Sequence, residues 1–93
     1  MPVALTLDAF ADAVYDYCMA FSGSVTSWMR TPARNAAVGG VPRSAHLVGL
    51  AVDVVYDGAR PGPPADAWLA LRGLKRINEG DHDHLMPAQW SPA

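Results

Sequence analysis

Ser44-Ala45-His46-Leu47-Val48-Gly49-Leu50-Ala51-Val52-Asp53 is the stretch from which the fold can be read, because a loop ends and a strand begins inside it. Leu50 to Tyr56 is the clearest strand of the chain, apolar and rich in valine, and it is closed by Asp57-Gly58. A period of two places Leu50, Val52, Val54 and Tyr56 on one face and Gly49, Ala51, Asp53 and Val55 on the other. The first set is bulky and belongs to a core. The second is small around a carboxylate, as a cleft floor must be if a ligand is to approach it. An aspartate among apolar neighbours is costly to bury unless it is paired or binds a metal.

Working outward, the partner of this stretch is Asp81-His82-Asp83-His84. The two stretches hold all three histidines of the chain. In an extended run His82 and His84 share a face and Asp83 points away. A loop histidine, a strand aspartate and a distant His-x-His offer the nitrogen and carboxylate ligands that zinc accepts. The same residues could form a buried Asp–His hydrogen-bond network with no metal, and spacing alone leaves both readings open.

The remaining elements follow from periodicity and punctuation. Leu7, Phe10, Ala11, Val14, Tyr17 and Cys18 recur at helical spacing, which predicts an amphipathic helix over 7–20 with Thr6 as N-cap and Asp8 in its first turn. Val25 to Met29 reads as a strand, Thr31-Pro32 as a turn, and 33–37 as one helical turn. Pro64 suits the start of a second helix, 65–74, with Ala67, Trp68, Leu71 and Leu74 as its apolar side and Arg72 and Lys75 near its C-terminal end. Arg76 to Asn78 reads as a short strand, Glu79-Gly80-Asp81 as a turn and His82 to Met86 as a final strand ended by Pro87. The class is α+β: a small central antiparallel sheet flanked by helices.

Composition narrows the function classes. The 93 residues suit one compact domain, 1–93, with a thin core. A net charge of −2 with unclustered basic residues gives no electrostatic case for nucleic acid. No apolar run reaches 18 residues, so no membrane segment is expected. A lone cysteine, Cys18, excludes an internal disulfide and reads as a buried, inert thiol. Asp8 and Asp12 interrupt any secretory signal. The expectation is synthesis in the cytoplasm, with action elsewhere only after lysis or delivery by a partner.

Residues 44–53 carry a Ser-x-His-x-x-Gly-x-Ala-x-Asp pattern that resembles the signature of the zinc D-Ala-D-Ala carboxypeptidase and L,D-endopeptidase family, peptidase family M15, which includes phage endolysins. Asp81-His82-Asp83-His84 is similar to that family's C-terminal His-x-His segment. Trp28-Met29-Arg30-Thr31-Pro32, with Asn35 and Gly39-Gly40, is similar to its upstream arginine segment and loop. The likeness spans roughly 24–86. It implies a zinc D,D-carboxypeptidase fold, also shared with hedgehog proteins, and one Zn²⁺ held by His46, Asp53 and His84. It further implies a zinc-activated water as nucleophile, with Arg30 and His82 stabilising the oxyanion. It makes Asp81 the general base, at the position where relatives carry a glutamate. Arg30, Ser44, Asn35 and Trp28 would bind the peptide.

Aspartate is one methylene shorter than glutamate, and a misplacement of about 1 Å can cost on the order of a hundredfold in rate. Glu79 and His82 therefore stay open as proton carriers beside Asp81. Trp68 reads first as a packing residue, Trp28 and Trp90 equally as packing or as lining of a peptide groove, and Arg34 and Arg43 as solvated. The function implied is hydrolysis of a peptide bond in peptidoglycan stem peptides, either D-Ala-D-Ala or of the L-Ala-D-Glu type. The alternative is a non-catalytic zinc-binding structural module of a phage or cell-wall assembly.

Overall fold

The computed structural model describes residues 6–40 and 45–89, in the order α1 (Leu7–Phe21), β1 (Gly23–Ser27), α2 (Pro32–Ala37), a 3-10 turn (Ala45–Val48), β2 (Val52–Tyr56), α3 (Pro63–Ala70), β3 (Leu74–Asn78) and β4 (Asp83–Pro87). Ser44, Arg43 and Trp90 lie outside the described residues. The four strands form one antiparallel sheet in the order β1-β2-β4-β3. The fold is α+β, with a central antiparallel sheet flanked by helices, as expected.

Helix α1 begins where predicted. The Thr6 hydroxyl accepts from the Ala9 amide at 3.1 Å, and Ser22 closes the helix in the left-handed region at φ 55°. Its buried face is Phe10, Val14 and Tyr17. These meet Val52 and Val54 of β2, Leu85 of β4, Leu74 of β3, and Ala65 and Leu69 of α3 in one apolar core. Burying a side chain of this size stabilises by roughly 1.5–3 kcal/mol. Both long helices thus cover one face of the sheet, and the opposite face is left for the site.

Beneath that core runs a buried polar cluster. Asp83 is fully buried, and its carboxylate accepts from the Tyr56 hydroxyl at 2.7 Å, from Arg60 Nε at 2.7 Å and from Arg76 Nη1 at 3.3 Å. Arg76 also donates to Asp66 at 2.8 Å and to the Pro61 and Gly62 carbonyls at 2.7 and 2.9 Å. Tyr17 donates to the Tyr56 hydroxyl at 2.7 Å. Burial, then its bond with Tyr17, pushes the Tyr56 phenol far up, so it stays a donor. A buried carboxylate is tolerated only with this degree of compensation.

Several boundaries differ from the sequence reading. Strand β1 spans Gly23–Ser27 rather than 25–29, because residues 28–30 leave the ladder to tie down the histidine loop. Trp28 Nε1 donates to the Gly49 carbonyl at 2.8 Å and the Arg30 amide donates to the His46 carbonyl at 3.1 Å. Strand β2 starts at Val52 rather than Leu50, whose amide instead donates to the Ala45 carbonyl at 3.0 Å.

Helix α3 runs from Pro63 to Ala70, two residues earlier than expected, and this rotates its inner face to Ala65 and Leu69. Ala67 is exposed, Leu71 is 85% exposed, and Leu74 reaches the core from β3 instead. Trp68 packs edge-on to Tyr17 at 5.7 Å, with the Arg72 guanidinium stacked 3.4 Å above its ring centre. Lys75 belongs to β3, not to the helix end, and β4 is shifted one residue later, to Asp83–Pro87.

Candidate metal centre

The register of the sheet builds the site. Asp53 of β2 and His84 of β4 are direct partners, so their side chains stand next to each other on the uncovered face. His46 arrives from the 3-10 turn, whose backbone is fixed by Arg30, Gly49 and Leu50 amides. Gly49 permits the turn into β2 by adopting φ +75°. A small apolar cluster of Ala45, Ala51 and Met86 supports the turn from below.

Three ligand-type atoms converge. Asp53 Oδ1 lies 3.1 Å from His46 Nε2 and 3.3 Å from His84 Nδ1. All three atoms fall within 4.8 Å of one another. His46 and Asp53 are buried and His84 partly so, at the floor of an open cleft of about 750 Å³.

The donor chemistry fits a divalent ion. His46 Nδ1–H donates to the Trp28 carbonyl at 2.6 Å, and a carbonyl can only accept, so that nitrogen carries the proton. Nε2 is then left facing a carboxylate oxygen, and two such acceptors need a proton or a cation between them. The backbone carbonyl behind the ring is the kind of outer partner that orients metal-binding histidines. Two nitrogens and one oxygen, with an open side, are what a catalytic zinc site presents.

Arg30 secures the other half of the carboxylate. Its Nη2 donates to Asp53 Oδ2 at 3.0 Å, Nη1 to Asn35 Oδ1 at 3.2 Å and Nε to Ser27 Oγ at 3.3 Å. Asp53 is thus oriented with Oδ1 toward the histidines. Burial alone would raise its pKa, but with a proton between His46 Nε2 and Oδ1 the hydrogen bonds from His46 and His84 outweigh burial and hold the carboxyl well below the usual carboxylate range.

Asn35, a sequence candidate for substrate binding, is buried with its amide against Arg30 and Gly40; any side chain at Gly40 would collide with it. It positions the arginine rather than facing the cleft. Trp28 does line the cleft, and its backbone carbonyl proves as useful as its ring.

His82 and its neighbours separate the two acidic candidates. His82 Nδ1 bonds Asp81 Oδ1 at 2.6 Å, while Nε2 meets Glu79 Oε1 at 3.1 Å and lies 3.7 Å from Asp53 Oδ1. Burial lowers the imidazole's pKa, but the hydrogen bonds to Asp81 and Glu79 carry it above its ordinary value. Glu79 lines the cleft and its Oε1 is 3.8 Å from His84 Nδ1. The Asp81 side chain is 92% exposed and sits behind the His82 ring, outside the cleft. Asp53, Glu79 and His82 form a second group with metal-ligand spacing, sharing Asp53 with the first.

The arginine's grip on Asp53 and the buried Asp83 cluster were not anticipated from the sequence. Arg30 lies 23 residues from Asp53, and Tyr56, Arg60 and Arg76 lie 27, 23 and 7 residues from Asp83, in no recurring spacing that would mark them.

A family model described as Peptidase M15 matches residues 5–72. That span contains Arg30, His46 and Asp53 but stops short of Glu79, His82 and His84, which the sheet and its last turn bring to the same cleft. Comparison with curated proteins and with solved structures finds no match.

Proposed function

The chain belongs to the peptidase M15 family, and on that premise we propose that it is a zinc-dependent peptidase acting on peptidoglycan stem peptides. The observation that carries the reading is the convergence of His46 Nε2, Asp53 Oδ1 and His84 Nδ1 on the floor of an open cleft. A closed set of four protein ligands would favour a structural ion, whereas three ligands beside open space favour catalysis. His46, Asp53 and His84 would hold the ion, whose contribution when bound is Lewis acidity and the acidification of water.

The chain's own groups supply the rest. Arg30 keeps Asp53 aimed, and its guanidinium at the cleft wall can meet a carbonyl oxygen as charge grows on it. Glu79 is the carboxylate on the cleft side, placed to accept a proton and return it to the leaving amine. His82 Nε2, beside Glu79, is a donor for the tetrahedral oxygen. Asp81 takes a different part from the one the family resemblance implies: it orients His82 through Nδ1.

The substrate is an amide bond with a D-configured residue on at least one side, either a terminal D-Ala-D-Ala bond or one of the L-Ala-D-Glu type. The test is to incubate zinc-loaded protein with defined muropeptides and weigh the products. A mass loss equal to one residue, or a split at one internal bond, is expected. Stoichiometric zinc with no product from any muropeptide would refute the reading.

A further inference from the structure

The face that carries the metal ligands continues onto the edge strand β3. Ile77 is the register partner of His84 and Lys75 of Met86, so Lys75 stands one strand across and two residues along from His84. Such diagonal neighbours are about 7–8 Å apart at Cα, within the span of a lysine stem. Lys75 is partly buried and lines the cleft.

Among the described residues nothing answers its charge. Among the described residues, the arginines away from the cleft are engaged: Arg60 and Arg76 with Asp83, Arg76 also with Asp66, and Arg72 with the Trp68 ring and carbonyl. Arg30, in the cleft, is paired with Asp53. The two described cations whose side chains have no ion pair or hydrogen bond are Lys75 and Arg34, and both line the cleft. The chain has nine acidic residues against seven basic, yet of the described acidic residues the cleft holds Asp53, taken up by Arg30, and Glu79, bonded to His82. A net acidic molecule therefore presents a cationic cleft.

We propose that Lys75 is a specificity residue that binds a carboxylate of the peptide substrate, at a fixed offset from the metal ligands. The inference rests on the peptidase reading and adds to it the charge of the substrate. An ammonium in a partly enclosed cleft forms a charge-assisted hydrogen bond with a carboxylate, and it loses that bond when the carboxylate becomes an amide. Edge-strand lysines also discourage edge-to-edge pairing of sheets, but that role is indifferent to what the cleft holds.

The experiment compares stem peptides that differ only in one carboxylate, free or as the primary amide, first at an internal glutamate and then at the C-terminus. With the zinc-loaded full chain, the free form of one pair should be preferred by about tenfold or more in KM. Lys75→Met should erase the preference and Lys75→Glu should turn it toward the amide, with zinc content and unfolding midpoint unchanged. Lys75→Gln serves if the methionine variant aggregates. Equal KM for both forms in the wild type, or a preference that survives Lys75→Met, would overturn the proposal.

Failure to cut any peptide would sink the peptidase reading alone. The same pairs are then titrated calorimetrically into the protein. A binding preference that Lys75→Met removes supports the subsite, and absence of any preference overturns it.

Discussion

Asp53 and His84 face each other across the β2–β4 ladder, and the carboxylate oxygen meets the imidazole nitrogen at 3.3 Å on the face that the helices leave open. With His46 Nε2 at 3.1 Å from the same oxygen, the sheet and one short turn present a preformed ligand set.

Zinc binding should therefore stabilise the fold. An ion that binds only the native state adds about 2.7 kcal/mol at a hundredfold excess over Kd. Thermal unfolding of the wild type should shift upward with zinc, and the shift should vanish in His46→Ala and Asp53→Ala. A variant that keeps the full shift would remove that residue from the ligand set.

Arg30→Met should act on the metal through Asp53. Its loss frees Oδ2 and lets the carboxylate turn, and outer partners of this kind are typically worth 10–100-fold in metal affinity. A competition titration against a chelator measures it. Undiminished affinity would limit Arg30 to contact with the substrate.

Glu79→Gln should lower turnover by roughly 10²–10⁴-fold, the usual contribution of a general base, while leaving zinc bound. Asp81→Asn should have a smaller effect, because its carboxylate reaches the cleft only through His82. Steady-state rates with metal content measured on the same samples decide it. The reverse ranking would return the proton to Asp81.

Asp83→Ala should be among the most damaging substitutions in the chain. It takes from Arg76, whose side chain is 1% exposed, one of its two carboxylate partners, removes the ion pair of Arg60 and leaves the Tyr56 hydroxyl without its acceptor. Breaking a buried pair in this way costs about 3–5 kcal/mol. Denaturant unfolding of the metal-free protein reads the loss without involving the site. A cost below about 1 kcal/mol would contradict the role assigned to the cluster.

Asp66 gives a pH signature. The hydrogen bond from Arg76 outweighs burial and holds its carboxyl below the usual range. A group whose pKa is lower folded than unfolded stabilises the native state above its unfolded pKa, about 3.9 for aspartate. That stability is lost as pH falls through the folded value. Asp66→Asn should flatten this part of the acid limb and leave stability near pH 7 reduced but level. An acid limb unchanged by Asp66→Asn would show the ion pair to be immaterial.

Much of this was legible in the residues. Thr6, the α1 stripe and the alternation in Val52–Tyr56 are local signals, and local signals survive folding. The three ligand-type atoms were legible because histidine is scarce here and the strand parity of Asp53 and His84 is set by their own neighbours. Helix α3 was misread because Ala, Leu and Trp are so dense between 65 and 74 that two different faces look apolar. The resemblance favours Asp81 over Glu79 as proton carrier, but the two flank the turn at Gly80, and it is Glu79 that lines the cleft. The contacts among Arg60, Arg76, Asp83 and Tyr56 join residues from four separate segments, and no one-dimensional period encodes them.

The alternation in Asp81-His82-Asp83-His84 makes this strand intolerant of sliding. A slip of one position would drive an imidazole against the guanidinium of Arg76 and bring a carboxylate up beside Asp53, so the interior and the cleft would be spoiled in a single step. The anchored Asp83 works as a detent, a notch that admits one setting. The accuracy with which His84 is aimed is thus inherited from chemistry on the far side of the sheet, out of reach of any substrate.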